Sequence, residues 1–126
     1  MAITRTYIGR CQYDFGIDGG AADTAITPAN NFTLPIGAMI IGCWGDVKTT
    51  LASGGSATIA LTIGGVTLNA ATAFDHADYV AIDYHRARTV APALTTAAGQ
   101  VVFTTAGSAA LTAGKYDIYV EYLLAD

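Results

Sequence analysis

The chain has 126 residues, six of them Lys or Arg and ten Asp or Glu, for a formal net charge of −4. Charged residues make up 13% and apolar residues 52%, against about 25% charged in an ordinary soluble domain. This balance excludes intrinsic disorder and gives no basic footprint for nucleic acid; the longest apolar stretch, Ala38 to Trp44, falls far short of the roughly 20 residues of a membrane-spanning helix.

The length predicts one domain over residues 1–126,. Arg5 is followed by no apolar run, so no signal peptide is read,. Ile3 to Gly9 and Gln12 to Ile17 read as strands, and residues 1–10 as either an edge strand or an arm that contacts a partner,. Turn residues follow at Asp18-Gly19-Gly20 and at Thr27-Pro28-Ala29-Asn30, then a short strand at Asn31 to Leu34 and a turn at Pro35-Ile36-Gly37,. Ala38 to Lys48 reads as a long strand, with Met39, Ile41, Cys43 and Val47 on one face and Ile40, Trp44, Asp46 and Lys48 on the other,. Gly42 and Gly45 within it predict a bulge or the close approach of another backbone,.

Ser53-Gly54-Gly55 leads to the clearest strand, Ser56 to Ile63, in which Ala57, Ile59, Leu61 and Ile63 share a face,. Gly64-Gly65 marks a hairpin turn into a strand at Val66 to Ala70,. A short helix fits only at Ala70 to Ala77; strands are expected again at Tyr79 to Tyr84 and Gln100 to Thr105, with a turn at Ala91-Pro92 between them,. Leu111-Thr112-Ala113-Gly114 reads as a turn with Gly114 at positive φ, and Lys115 to Leu124 as the last strand,. Its core face would carry Tyr116, Ile118, Val120, Tyr122 and Leu124, leaving Asp117, Tyr119, Glu121 and Leu123 outside,. About eight short strands at this spacing predict an all-β fold, an antiparallel β-sandwich of jelly-roll-like form.

Catalytic chemistry has little to draw on. Ser53 or Ser56 with His76 and Asp75 could be written as a triad, but no nucleophile-elbow sequence accompanies them,. Asp14 and Asp18 look like turn-flanking residues rather than paired glycosidase carboxylates. Asp75, Asp78, Asp83, His76 and His85 lie close in sequence and include zinc-ligand types; Asp14, Asp18 and Asp23 offer oxygens of the calcium kind without the spacing of a 12-residue loop,. Polar loop residues and Asx turns are the simpler account of both groups, and no phosphate-cradling glycine motif occurs. The expectation is therefore no enzyme activity, no metal and no cofactor. Cys11 and Cys43 read as buried thiols, with a single bridge between them left open,.

The surface is more telling. No charged residue occurs from Thr49 to Phe74 or from Thr89 to Gly114. A surface so poor in charge suits one covered by copies of itself or by a protein partner. Arg86 and Arg88 could grip an acidic patch through bidentate pairs, and Tyr119 and Leu123 give the last strand a mixed aromatic and aliphatic outer face,.

Four segments carry a resemblance: Tyr13-Asp14-Phe15 with Asp18-Gly19-Gly20-Ala21; Leu34-Pro35-Ile36-Gly37-Ala38-Met39-Ile40-Ile41; Ser53 to Ala60; and Ala110 to Lys115 running into Tyr119-Val120-Glu121-Tyr122. In this order the chain resembles small structural proteins of tailed-bacteriophage virions, capsid decoration (cement) proteins among them. The resemblance implies a protein on the capsid exterior of a virion assembled in the host cytoplasm. Its partners would be the major capsid protein and further copies of itself, as a trimer, with neither nucleic acid nor membrane bound. On that reading Ile3, Arg5 and Tyr7 form the lower, shell-facing surface, while Tyr119 and Leu123 join subunits. The alternative is a tail, baseplate or fibre module that binds a receptor or glycan through Trp44 and the tyrosines.

Overall fold

The computed structural model describes residues 4–82, 86–88 and 92–125, with side chains given for 5–82 and 92–124. β1 (Thr4–Asp14) ends in a single helical turn, α1 (Phe15–Asp18). Two short strands follow, β2 (Ala25–Ile26) and β3 (Thr33–Leu34), then the long β4 (Met39–Ser53). β5 (Thr58–Ile63) and β6 (Val66–Ala73) form a hairpin, and α2 (Ala77–Val80) crosses back toward β4. β7 (Arg86–Arg88), β8 (Ala93–Leu94), β9 (Gly99–Gln100), β10 (Val102–Ala106) and β11 (Leu111–Ala125) complete the chain.

The strands form two facing sheets. One runs β1-β11-β4, with β7 and β8 both on the far side of β4; the other runs β2-β10-β5-β6; β3 and β9 make a small third sheet. All the pairings between named strands are antiparallel. The all-β sandwich read from the sequence is the architecture found.

Local chemistry explains most elements. In β5 the alternation places Ile59, Leu61 and Ile63 in the core and leaves Thr58, Ala60 and Thr62 half-buried. Gly64 and Gly65 turn the hairpin at φ 54° and 86°, the left-handed pair that matches the twist of the flanking strands. At α1, Asp14 caps the turn by accepting from Gly16 N at 3.0 Å; at α2, His76 Nδ1 accepts from Asp78 N at 3.1 Å.

The core lies between the sheets and is organised by aromatic rings. Tyr13 stacks on Phe103 at 5.3 Å, Phe103 meets Tyr116 edge-on at 5.9 Å, and Tyr79 tilts against Tyr116 at 5.4 Å. Buried hydroxyls need partners. Tyr13 donates to Gly19 O at 2.6 Å; Tyr79 donates to Ile59 O and accepts from Asn69 Nδ2.

Several sequence expectations are corrected. Ile3 to Gly9 and Gln12 to Ile17 are not two strands: β1 runs unbroken from Thr4 to Asp14, and Phe15–Asp18 is helical. In β4 the core face starts at Ile40 rather than at Met39 and Ile41. A register shift opposite Glu121 and Tyr122 inserts Ile41 as an extra residue, which reverses the alternation before Cys43 and Val47,. Tyr79 lies in a helical turn and its ring enters the core, while Ala70–Ala73 belongs to β6. Leu111 to Gly114 is not a turn but the bulged start of β11; Gly114 sits at φ 142° with Leu51 against the place a Cβ would take. Asp83, His85 and Ala91 lie outside the described residues.

Candidate functional site

The inner face of the β1-β11-β4 sheet is spent on the core, so its outer face is one of the two broad sheet surfaces left for function. Register lays it out in rows. Thr6, Leu123 and Met39 lie side by side, and Met39 is in turn opposite Leu94 of β8. Next come Ile8, Glu121 and Gly42, then Arg10, Tyr119 and Trp44, then Gln12, Asp117 and Asp46.

The centre of this face is aromatic. Trp44 and Tyr119 stack across the strand pair at 5.7 Å with their planes 16° apart, both half-buried. Directly beside them, Asp46 and Asp117 are cross-strand neighbours and only 1% and 2% exposed. Two carboxylates so placed repel, and cations and donors around them offset the repulsion. Lys48 Nζ lies 2.7 Å from Asp46 Oδ2, Arg10 Nε lies 3.5 Å from Asp117 Oδ2, and Gln12 Nε2 donates to Asp117 Oδ1 at 2.8 Å. Around this neutralised cluster the face is mostly aliphatic, with Glu121 and Thr6 the polar members. Ile8 is 58% exposed and Leu94 55%, with Met39 and Leu123 half-buried. A Trp–Tyr–Arg centre with an aliphatic surround is the composition of a protein-binding surface.

The residues singled out from sequence do not gather at one place. Tyr119 and Leu123 lie on the outer face, two rows apart. Arg5 and Tyr7 have the opposite phase on β1. Tyr7 stacks on Tyr122 at 5.6 Å, and Phe32 stacks on Tyr122 at 6.1 Å, all three half-buried. Arg86 and Arg88 lie on β7, opposite Gly45 and Cys43. Ile3 lies outside the described residues.

Sequence reasoning missed Arg10, Gln12, Ile8, Met39 and Leu94 as members of this face. The strand register that brings them beside Tyr119 and Leu123 has no signal in a single sequence. The even positions of β1 could have been matched to the odd positions of β11 only with the pairing in hand.

The polar loop residues are engaged locally. Asp18 accepts from Asp14 N and Ala29 N, both at 2.9 Å, and Asp23 Oδ1 accepts from Ser108 N. His76 caps α2, and Ser53 Oγ donates to Ala110 O. Cys11 and Cys43 are free thiols on the inner face of the sheet, in register with Ile118 and Val120 respectively, so the whole of β11 stands between them. Burial, reinforced by the charges of Asp18 and Asp117, pushes the Cys11 thiol up to about 12. Burial does the same to the Tyr13 hydroxyl, again to about 12, with Asp18 and Asp14 adding to it.

No protein-family model matches this sequence, and no curated protein is similar to it in sequence. Solved structures do share its fold. One is a chain of the acidic stable capsid structure of Helicobacter pylori bacteriophage KHP30, with TM-score 0.60 and 15% identity, aligned over 98% of this chain and 94% of that one. Another is a chain of the cyanophage Pam1 capsid asymmetric unit, with TM-score 0.57 and 19% identity, aligned over 98% of this chain and 86% of that one.

Proposed function

We propose that this protein is a non-enzymatic structural component of a phage virion, a decoration protein seated on the outer surface of the capsid. The observation that carries the reading is the fold shared, almost end to end, with small chains in two phage capsid structures. Strand order supports it. If β7 and β8 count as one interrupted strand, and the small β3-β9 sheet is set aside, the strands rank 1-8-3-6 in one sheet and 2-7-4-5 in the other. That interleaving supports reading the sandwich as jelly-roll-like, an architecture common in capsid proteins. The charge-poor sequence and the neutralised aromatic outer face suit a protein whose work is to cover apolar surface on other proteins,.

In this reading the protein stabilises the shell by bridging capsid subunits, each contact covering roughly 1,200–2,000 Å², and repetition turns modest contacts into a firm lattice. The copies form a trimer and meet through the outer face that holds Tyr119 and Leu123. Antibody–gold labelling of intact particles tests the location. Gold over the whole head is expected; gold confined to the tail would replace this reading with that of a tail or fibre module. The stacked Trp44–Tyr119 pair is what favours that second reading, because such a pair also offers a platform for a sugar ring,. Binding to a glycan array that is lost on Trp44→Ala would support it.

A further inference from the structure

β1 is the edge of its sheet, and its backbone groups alternate between β11 and the open side,. Gln12 fixes which residues point which way. Its N–H leaves the sheet and donates to Asn30 O at 2.8 Å, so the N–H and C=O of the same-phase residues Thr6, Ile8 and Arg10 also point outward. The register with β11 is unbroken from Thr4 to Asp14, so this phase holds throughout. Among the described residues, none of these three has a backbone partner on that side. Asn30 closes the edge above Arg10.

The usual protections of an exposed edge are sparse here. There is no proline and no lysine between Thr4 and Asp14, and the strand presents Ile8, 58% exposed, at its middle,. Its two arginines are placed so that they do not prevent self-pairing. With two copies of β1 antiparallel about a two-fold axis through Ile8, Ile8 meets Ile8 of the other copy and Arg10 meets Thr6. Arg5 then falls opposite Cys11. No like charges face each other, and the Arg10 guanidinium is already held toward Asp117.

We propose that the free edge of β1 pairs with β1 of a second copy about this two-fold axis, joining the two β1-β11-β4 sheets into one. The ladder has three rungs, Thr6–Arg10, Ile8–Ile8 and Arg10–Thr6, and ends where Asn30 occupies Gln12. The contact is isologous, and it leaves the centre of the outer face uncovered. It does not depend on the capsid reading: a chain that fails to bind capsids can still pair through β1.

The test is a charge exchange at the axis. Ile8→Lys sets two ammonium groups against each other, and Ile8→Glu sets two carboxylates. Each is expected to weaken association about tenfold and to lower the weight-average mass, measured by sedimentation near the wild-type dissociation constant, by about a quarter, with the circular dichroism unchanged. An equimolar mixture of the two variants is expected to restore the full mass. A wild-type assembly whose mass neither variant changes overturns the proposal, as does a mixture that stays dissociated. Amide exchange gives a second reading without substitution. Thr6, Ile8 and Arg10 should be protected in the wild-type protein in proportion to its concentration. Protection that appears only when capsids are added would assign the edge to a strand of the shell and overturn the second copy as its occupant.

Discussion

Gly9→Ala is the sharpest test of how the inner face of β1 is built. A Cβ at Gly9 would fall 2.5 Å from Cδ2 and Cε2 of Phe32, well inside van der Waals contact. The ring cannot swing away freely, because it lies nearly parallel to Tyr122 at 6.1 Å, and Tyr122 is in turn stacked on Tyr7. The added methyl must therefore push either β1 or a stack of three rings. Overpacking of this kind costs about 1–3 kcal/mol. In a domain of this size each kcal/mol moves Tm by about 4 °C, so Gly9→Ala should melt roughly 4–12 °C below wild type. Shortening the neighbour should relieve it. In the Gly9→Ala/Phe32→Ala double variant the methyl enters the space the ring leaves, and the double variant should be more stable than the sum of the two single losses by about 1 kcal/mol or more. Urea denaturation of all four proteins measures this coupling. A Gly9→Ala protein as stable as wild type, or a strictly additive cycle, would refute the packing described around Gly9.

Other outcomes follow from the buried polar groups and the outer face. Thr105 is buried; its hydroxyl donates to Ala21 O at 2.6 Å and accepts from Thr24 N at 3.1 Å. Thr105→Val keeps the shape and removes both bonds, for an expected loss of about 1–3 kcal/mol in chemical denaturation. The raised Cys11 and Tyr13 values make the fold alkali-sensitive. Their neutral forms are favoured in the folded state, so the stability these two groups contribute is constant below the thiol's ordinary value of 9.0 and falls as pH rises from there toward about 12. The slope is up to about 1.4 kcal/mol per pH unit for each group. Cys11→Ala should flatten the first part of that decline, between pH 9 and 10, in urea titrations at fixed pH. Leu123→Asp places a charge among Thr6, Met39 and Leu94 and should dissociate an assembly built on the outer face without lowering Tm. Retention of full mass by light scattering would take Leu123 out of the interface.

The legible parts of the sequence were those where one period governs a whole element. β5 and the core half of β11 keep strict alternation, and Ile59, Leu61 and Ile63, like Tyr116, Ile118 and Val120, are buried as the pattern says. β4 was legible at its start but not in its end, which lies at Ser53 rather than Lys48, and its phase was legible only after the bulge. Gly42 signalled an irregularity, yet a bulge changes which side chains face the core, and sequence does not say at which residue the count shifts. Tyr79 misled because a tyrosine next to valine and isoleucine has strand propensity, whereas tertiary packing of its ring between the sheets fixes a helical turn capped by His76,. β3 lies within the short strand expected at Asn31 to Leu34, and β9 meets the start of the one expected at Gln100 to Thr105; the two-residue strands β2 and β8 were beyond reach for the opposite reason. They are too short to show a period, and they exist because a neighbouring strand offers them a ladder.

The same argument explains why the outer face was only half seen, and it yields a separation that experiment can use. A site on a sheet is defined by neighbours across strands, so Tyr119 can be noticed alone but Tyr119 beside Trp44 and Arg10 requires register. Register also divides β1 by parity. Its odd residues Tyr7, Gly9, Cys11 and Tyr13 belong to the inner face, where packing determines stability. Its even residues Thr6, Ile8, Arg10 and Gln12 belong to the outer face and the open edge. Substitutions at the first set should therefore move Tm and leave assembly mass to follow from unfolding. Ile8 at the edge and Leu123 on the outer face should move mass at unchanged Tm, because Ile8 is more than half exposed and neither is part of the buried core. Alternation of the two effects along consecutive residues of one strand is a signature that neither general destabilisation nor loss of an unstructured arm would produce.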